Sequence, residues 1–218
     1  MTDLLDRVYP TAADLLGRVD RALLTLGAPA SHPIWTVMRA VGATPSDAVE
    51  HFVTLDTGPL LDAAGSVKSA TSEWNDIVAG LPRTIQSEGI AAEAYANALP
   101  GMVAHLDDLT GGLDDTAAFL LAVAEWIARS RRSLAGTLAS CLGSREAVTL
   151  RSGTSGGIDP AMVVAAADIG AQVLAMVSHC LDDGWQVRDR YTAVLAEMGS
   201  VDMGAPPRIR AGHRIDTR

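Results

Sequence analysis

The chain has 218 residues, a formal net charge of −9 and a hydrophobic share of 48%, of which only a small part is aromatic (4%). That length supports one large or two small domains with a full core, and 36 alanines favour helices that approach one another closely. The acidic balance excludes a general nucleic-acid binder, which needs clustered Lys and Arg, and β-branched or aromatic runs bounded by turn signals are scarce. The expected fold is all-α.

In chain order, Thr11 to Leu26 places Leu15, Leu16, Val19, Leu23 and Leu26 on one face, and Gly27, Pro29 and Pro33 end that helix. Short helices are predicted over Ile34 to Val41 and Ser46 to Leu55, with Thr44-Pro45 as the start signal of the second. Thr57-Gly58-Pro59 opens a longer helix to Gly80, which Pro82 breaks. The pattern is helical again from Thr84 to Leu109, bent at Pro100-Gly101. A turn is expected at Thr110-Gly111-Gly112, with Asp114 or Asp115 capping the next helix to Leu142. That helix should bury Phe119, Val123, Trp126 or Ile127, Leu134 and Leu138.

Gly143 to Gly157 reads as a loop. A last long helix from about Asp159 to Met198 carries the stripe Met162, Ala166, Ile169, Val173, Val177, Cys180, Val187, Val194 and Met198. The expected organisation is therefore short N-terminal helices over 1–56, a helical hairpin over 57–142, a linker over 143–157, a long helix over 158–199 packed on the hairpin, and a flexible basic tail over 200–218. In fold-class terms this is an elongated helical hairpin or bundle with a long C-terminal helix. The most apolar stretch, Ala161 to Val177, contains Asp168 and Gln172 and reads as too short and polar for a membrane span. The start of the chain has neither the basic flank nor the apolar stretch of a signal peptide. A cytoplasmic protein, or one exported without a cleaved signal, is expected.

Candidate chemistry is sparse. Ser152 to Gly157 is glycine-rich but lacks the Gly-Lys-Ser/Thr ending of a phosphate loop, so a linker is the better reading. His179, Asp182 and Asp183 have helical i, i+3, i+4 spacing, but one imidazole and two carboxylates read as a solvated helix face. Asp107-Asp108 and Asp114-Asp115 lack the third aspartate of a diphosphate site and read as helix ending and capping. Arg129, Arg131 and Arg132 read as cations suited to the C-terminal half of a helix. Cys141 and Cys180 read as small buried hydrophobes, and Gly170 and Gly184 as tight helix crossings or a bend. No nucleophile–base grouping stands out, so neither an enzyme nor a metal or other cofactor is expected.

Ser87-Glu88-Gly89-Ile90-Ala91-Ala92-Glu93-Ala94-Tyr95 resembles the Trp-x-Gly-x-Ala-Ala-x-Ala-aromatic signature of actinobacterial type VII (ESX) secretion proteins, where it lies at the turn of a helix pair. Pro82 suits that turn, and Trp74 precedes it. Serine stands at 87 where the family has tryptophan, and neither Tyr95 nor Tyr191 is followed by the family's acidic export residue, Leu99 and Leu195 taking its place. The resemblance implies function by helix pairing, with another helical protein of the same secretion system or a second copy as partner. The residues expected to carry that surface are Gly89, Ala91, Ala92, Tyr95, Leu99 and Val103. The alternative is a cytoplasmic helical adaptor or ligand-sensing domain.

Overall fold

A computed structural model describes residues 3–80, 90–152 and 160–197, and among these the fold is all-α. Seven helices follow one another: α1 (Leu4–Leu26), α2 (Ile34–Val41), α3 (Pro45–Val53), α4 (Gly58–Gly80), α5 (Ile90–Leu142), α6 (Arg145–Ser152) and α7 (Pro160–Glu197). The described residues within 1–56 and 126–186 form one compact unit, and those within 57–125 and 187–202 form a second. The tail expected to be flexible lies outside the described residues, as do Met198 and the side chain of Val194.

Three elements differ by more than a residue or two from their expected bounds, each for a local reason. α1 starts at Leu4 rather than Thr11, because Asp3 and Asp6 form a reciprocal capping box, each side chain accepting the other's backbone N–H at 3.0 Å. Pro10 is carried inside that helix. The turn expected at Thr110-Gly111-Gly112 is helix: α5 runs for 53 residues without a break there. Each glycine costs about 1 kcal/mol in a helix, and the burial of Thr110 and Ala117 on either side of Gly111-Gly112 offsets it; the Thr110 hydroxyl, buried, is satisfied on the Leu106 carbonyl at 2.8 Å. The predicted linker 143–157 contains α6: Ser144 Oγ accepts from the Ala147 N–H at 3.1 Å, and Ala147 and Leu150 are buried, with α6 packed on α1.

The hydrophobic core belongs to the first unit. It gathers Leu15, Leu16, Val19 and Leu23 of α1, Phe52 of α3, Leu134 and Leu138 of α5, and Ala166, Ile169, Val173 and Val177 of α7. Within this unit α5 and α7 run antiparallel, since Trp126 Nε1–H donates to the Cys180 carbonyl at 2.7 Å while Cys141 Sγ reaches Gln172 Oε1 at 3.5 Å. Gly170 and Gly184 are the tight approaches the sequence suggested. A β-carbon on Gly170 would meet Ile34 Cδ1 at 3.1 Å, and one on Gly184 would lie 2.7 Å from Trp126 Cζ2. By length and composition, Pro160–Thr192 is long and apolar enough to cross a membrane, with mean hydropathy 1.8, because the helix extends well past the Ala161–Val177 stretch taken as too short. Much of its apolar face is part of the core just described.

α3 is only nine residues long, and charged side chains from other helices meet both its ends. At its N-terminus, Asp20 Oδ2 of α1 accepts from both the hydroxyl and the backbone N–H of Ser46. At its C-terminus, Arg131 of α5 donates to the carbonyls of Phe52 at 2.6 Å and Val53 at 2.8 Å, and to that of Leu55 at 3.1 Å just beyond. The same guanidinium pairs with Asp3 and, at 2.6 Å, with Asp6. An anion at the amino end and a cation at the carboxyl end both complement the helix dipole. Arg131 therefore serves the end of α3, not that of its own helix, from which it stands more than two turns away.

The second unit is built differently. Along α4, Leu60, Ala64, Val67, Thr71 and Val78 carry the buried and half-buried positions. Along α5 they are Leu99, Val103, Leu106, Thr110, Leu113, Ala117, Leu120 and Ala124, in alternating steps of four and three. The deepest of these are small: Ala64, Thr71, Thr110, Ala117 and Ala124. Thr71 and Thr110 satisfy their hydroxyls on carbonyls one turn back. Phe119 meets Tyr191 at a ring separation of 5.4 Å.

Candidate functional site

Small buried side chains leave large apolar ones outside. In the second unit Leu61, Trp74, Ile77, Met102 and Leu109 are all more than two-fifths exposed. Trp74 of α4 and the α5 turns from His105 to Leu113, with Asp115, line one open groove of about 880 Å³. Its lining combines Gly111 and Gly112, which add little side chain, with the apolar Trp74, Leu106, Leu109 and Leu113 and the exposed Asp107, Asp108 and Asp115. Such a lining can seat an apolar side chain beside an indole face and hold a cation against carboxylates.

The residues expected from the sequence to carry a partner surface fall on and before the same helix. Gly89 lies outside the described residues, and Ala91 and Ala92 occupy the first turn of α5, with their side chains outside the described set. Tyr95, Leu99 and Val103 are half-buried at successive steps of four and lead into the seam that continues through Leu106 and Thr110. The exposed large apolar side chains on this helix are instead Met102 and Leu109, each one residue before a seam position. Periodicity alone found the stripe. It did not separate the seam from its flank, because α4, which lines the groove through Trp74, is remote in sequence.

Several other titratable groups have structural partners. His179 and Asp183 lie 4.0 Å apart on an exposed stretch of α7, in keeping with a solvated helix face. His32 Nδ1 accepts the Ile34 N–H at 3.1 Å, so Nε2 carries the proton it shares with Asp168, also at 3.1 Å. Arg131 holds the Asp3 carboxyl below its ordinary range through their hydrogen bond, and Asp3 in turn raises Arg131. Burial pushes Asp20 up; its Oδ1 has no hydrogen-bond partner among the described residues. Burial also pushes the Cys141 thiol to about 11 and raises Cys180. Both cysteines are free and buried, and Cys141 faces Gln172 rather than the start of α7, because α6 intervenes between the two helices. Among the described residues no cluster of three or more His, Cys, Asp or Glu side chains could hold a metal ion.

None of these pairs was legible as a motif, since His32 and Asp168, or Arg131 and Asp3, are more than a hundred residues apart. Comparison with family models, curated proteins and solved structures finds no match for this chain.

Proposed function

We propose that this chain is a non-enzymatic interaction protein of the type VII secretion kind, working by helix pairing, and that its second unit is the pairing surface. The observation that supports this most is the inverted burial of that unit: alanine and threonine inside, Leu61, Trp74, Ile77, Met102 and Leu109 outside. A helix pair closed over small residues buries little apolar area and gains little from it at about 25 cal/mol per Å², whereas clustered exposed apolar side chains mark association surfaces. A partner helix laid along α4 and α5 would cover them. The partner is another helical protein of the same system or a second copy, and no nucleic acid, cofactor or membrane span takes part. The protein acts in the cytoplasm or is exported without signal cleavage.

The test replaces Ala91 or Ala92 with Glu in the full chain and compares far-UV circular dichroism with native mass spectrometry of the complex purified from the cells that make it. Retained helicity with loss of the complex supports a partner surface, because a charge buried unpaired in an interface is strongly unfavourable. Loss of helicity would make the stripe an internal seam. Leu109→Glu, at a residue half exposed in the isolated chain, gives a second reading that a seam defect would not mimic.

A further inference from the structure

We propose that the groove around Trp74 takes a basic amphipathic helix of a different protein, one presenting Arg or Lys beside large apolar side chains, and not a second copy of this chain. Two observations carry this. The first is charge. The stretch 57–125 holds ten carboxylates against Lys68 and Arg83, whereas the rest of the chain is nearly balanced, with sixteen carboxylates against fifteen cations. The net charge of −9 therefore belongs almost entirely to the stretch that carries the groove. Asp107, Asp108 and Asp115 line it beside the exposed indole, and none of the three is ion-paired among the described residues. A cation placed between carboxylates and an aromatic face gains both ion pairing and cation–π attraction. Two copies joined through this same face would instead set like charges together.

The second is the spacing along α5. Asp108, Gly111 and Asp115 follow one another in steps of three and four, so they share one face of the helix. The two carboxylates stand two turns apart, about 10 Å along the axis, and cations seven residues apart on an incoming helix match that separation. Glycine is unfavourable inside a helix, yet a β-carbon on Gly111 would meet nothing within 4 Å, so the chain's own packing gives no reason for it. A helix drawn against α5 does, because a missing side chain lets two backbones come close. Trp74 and Leu109, both exposed beside this face, would be covered by the apolar side chains of the same incoming helix.

For its biological partner this rests on the pairing reading above; the chemistry of the groove does not, and its test needs no native partner. The probe is a fluorescein-labelled three-heptad helical peptide with Leu at the a and d positions and Arg at e and g, compared with the same peptide carrying Glu for Arg. In anisotropy titrations with the full chain, the basic peptide should bind at least tenfold more tightly than the acidic one. Its affinity should fall at least tenfold in 0.5 M salt, in Asp108→Asn/Asp115→Asn and in Gly111→Leu. Helicity should be unchanged in both variants, and the thermal midpoint of Gly111→Leu no lower than the parent's, because leucine is the better helix former. Should the double variant lose helicity, Gly111→Leu and the salt series provide the same comparison. Removing two exposed carboxylates from the first unit, in Asp14→Asn/Glu50→Gln, should leave affinity within twofold, which separates the groove from general attraction to an acidic protein. Equal binding of the two peptides, indifference to the groove substitutions, no binding, or a dimer of the chain that Gly111→Leu dissolves would each overturn the proposal, the last by making a second copy the occupant. A native complex lost in Ala92→Glu but kept in both groove variants would leave helix pairing standing and remove the basic occupant. Peptide binding as expected with no native complex would uphold the groove and remove the pairing reading.

Discussion

Replacing Gly184 with alanine sets two effects of known size against each other. Alanine in a helix interior gains about 1 kcal/mol over glycine. Its β-carbon would lie 2.7 Å from Trp126 Cζ2 and 2.8 Å from Cε2, closer than carbon atoms pack, and the contact is with a rigid ring. Moving the indole away costs about 1–3 kcal/mol of repacking and about 1 kcal/mol for its hydrogen bond to the Cys180 carbonyl. The net expectation is a loss of about 1–3 kcal/mol. Gly136, on α5 in the same unit, is exposed and has nothing within 4 Å of its would-be β-carbon, so Gly136→Ala should gain about 0.5–1 kcal/mol from propensity alone. Urea unfolding followed by tryptophan fluorescence measures both, and the emission of the folded Gly184→Ala variant should shift as Trp126 is displaced. If Gly184→Ala stabilises the protein as much as Gly136→Ala does, the close passage of Trp126 over α7 is refuted.

Arg131→Met should cost about 1–3 kcal/mol, mostly from the three carbonyls that the guanidinium now satisfies, since Asp3 and Asp6 are a third or more exposed and remain solvated; urea titration reads it, and no measurable loss would contradict the clamp. Asp20 and Asp3 should pull in opposite directions on acidification. The raised Asp20 takes up its proton in the folded state first, so between its folded and unfolded values its contribution to stability rises as pH falls. The lowered Asp3 contributes stability above the ordinary carboxylate range and loses it as pH falls through its folded value. Asp20→Asn should therefore make stability fall more steeply from pH 7 toward pH 4 than in the parent chain, read as the urea midpoint at each pH. Cys141 and Cys180 should be silent to a thiol reagent at pH 8 in the folded chain and both react on unfolding, since burial keeps their thiols protonated; fast reaction in the folded state would argue against their placement.

What the sequence conveyed was local. The stripe Leu15, Leu16, Val19 and Leu23 in α1, and Ala166, Ile169, Val173 and Val177 in α7, were readable because a helix repeats every 3.6 residues, and each of these residues is buried. Thr44-Pro45 marked the start of α3 for a similar reason. The failures were places where a distant partner overrode a local signal. Gly111-Gly112 reads as a turn until the seam through Thr110 and Ala117 is seen to need an unbroken helix. Gly143 to Gly157 reads as a loop until Ala147 and Leu150 find the core beside α1. The groove escaped notice for the same reason, since nothing along α5 announces that Trp74 of α4 will face it.

Because Arg131 pairs with Asp3 and Asp6, the N-terminal helices are completed late during synthesis. Within the first fifty-six residues α1 and α3 pack on each other, but the core they share with the later part of α5 and with α7 stays incomplete, because those helices are encoded beyond residue 125. α3 is too short to hold its shape alone, and the guanidinium that braces its carboxyl end arrives about seventy-five residues later. At about 5–20 residues per second, the N-terminal helices wait on the order of 10 seconds with their shared core incomplete. During that interval the nascent chain presents a surface that chaperones recognise, and a ribosome stalled anywhere within α4 or early α5 would leave it there.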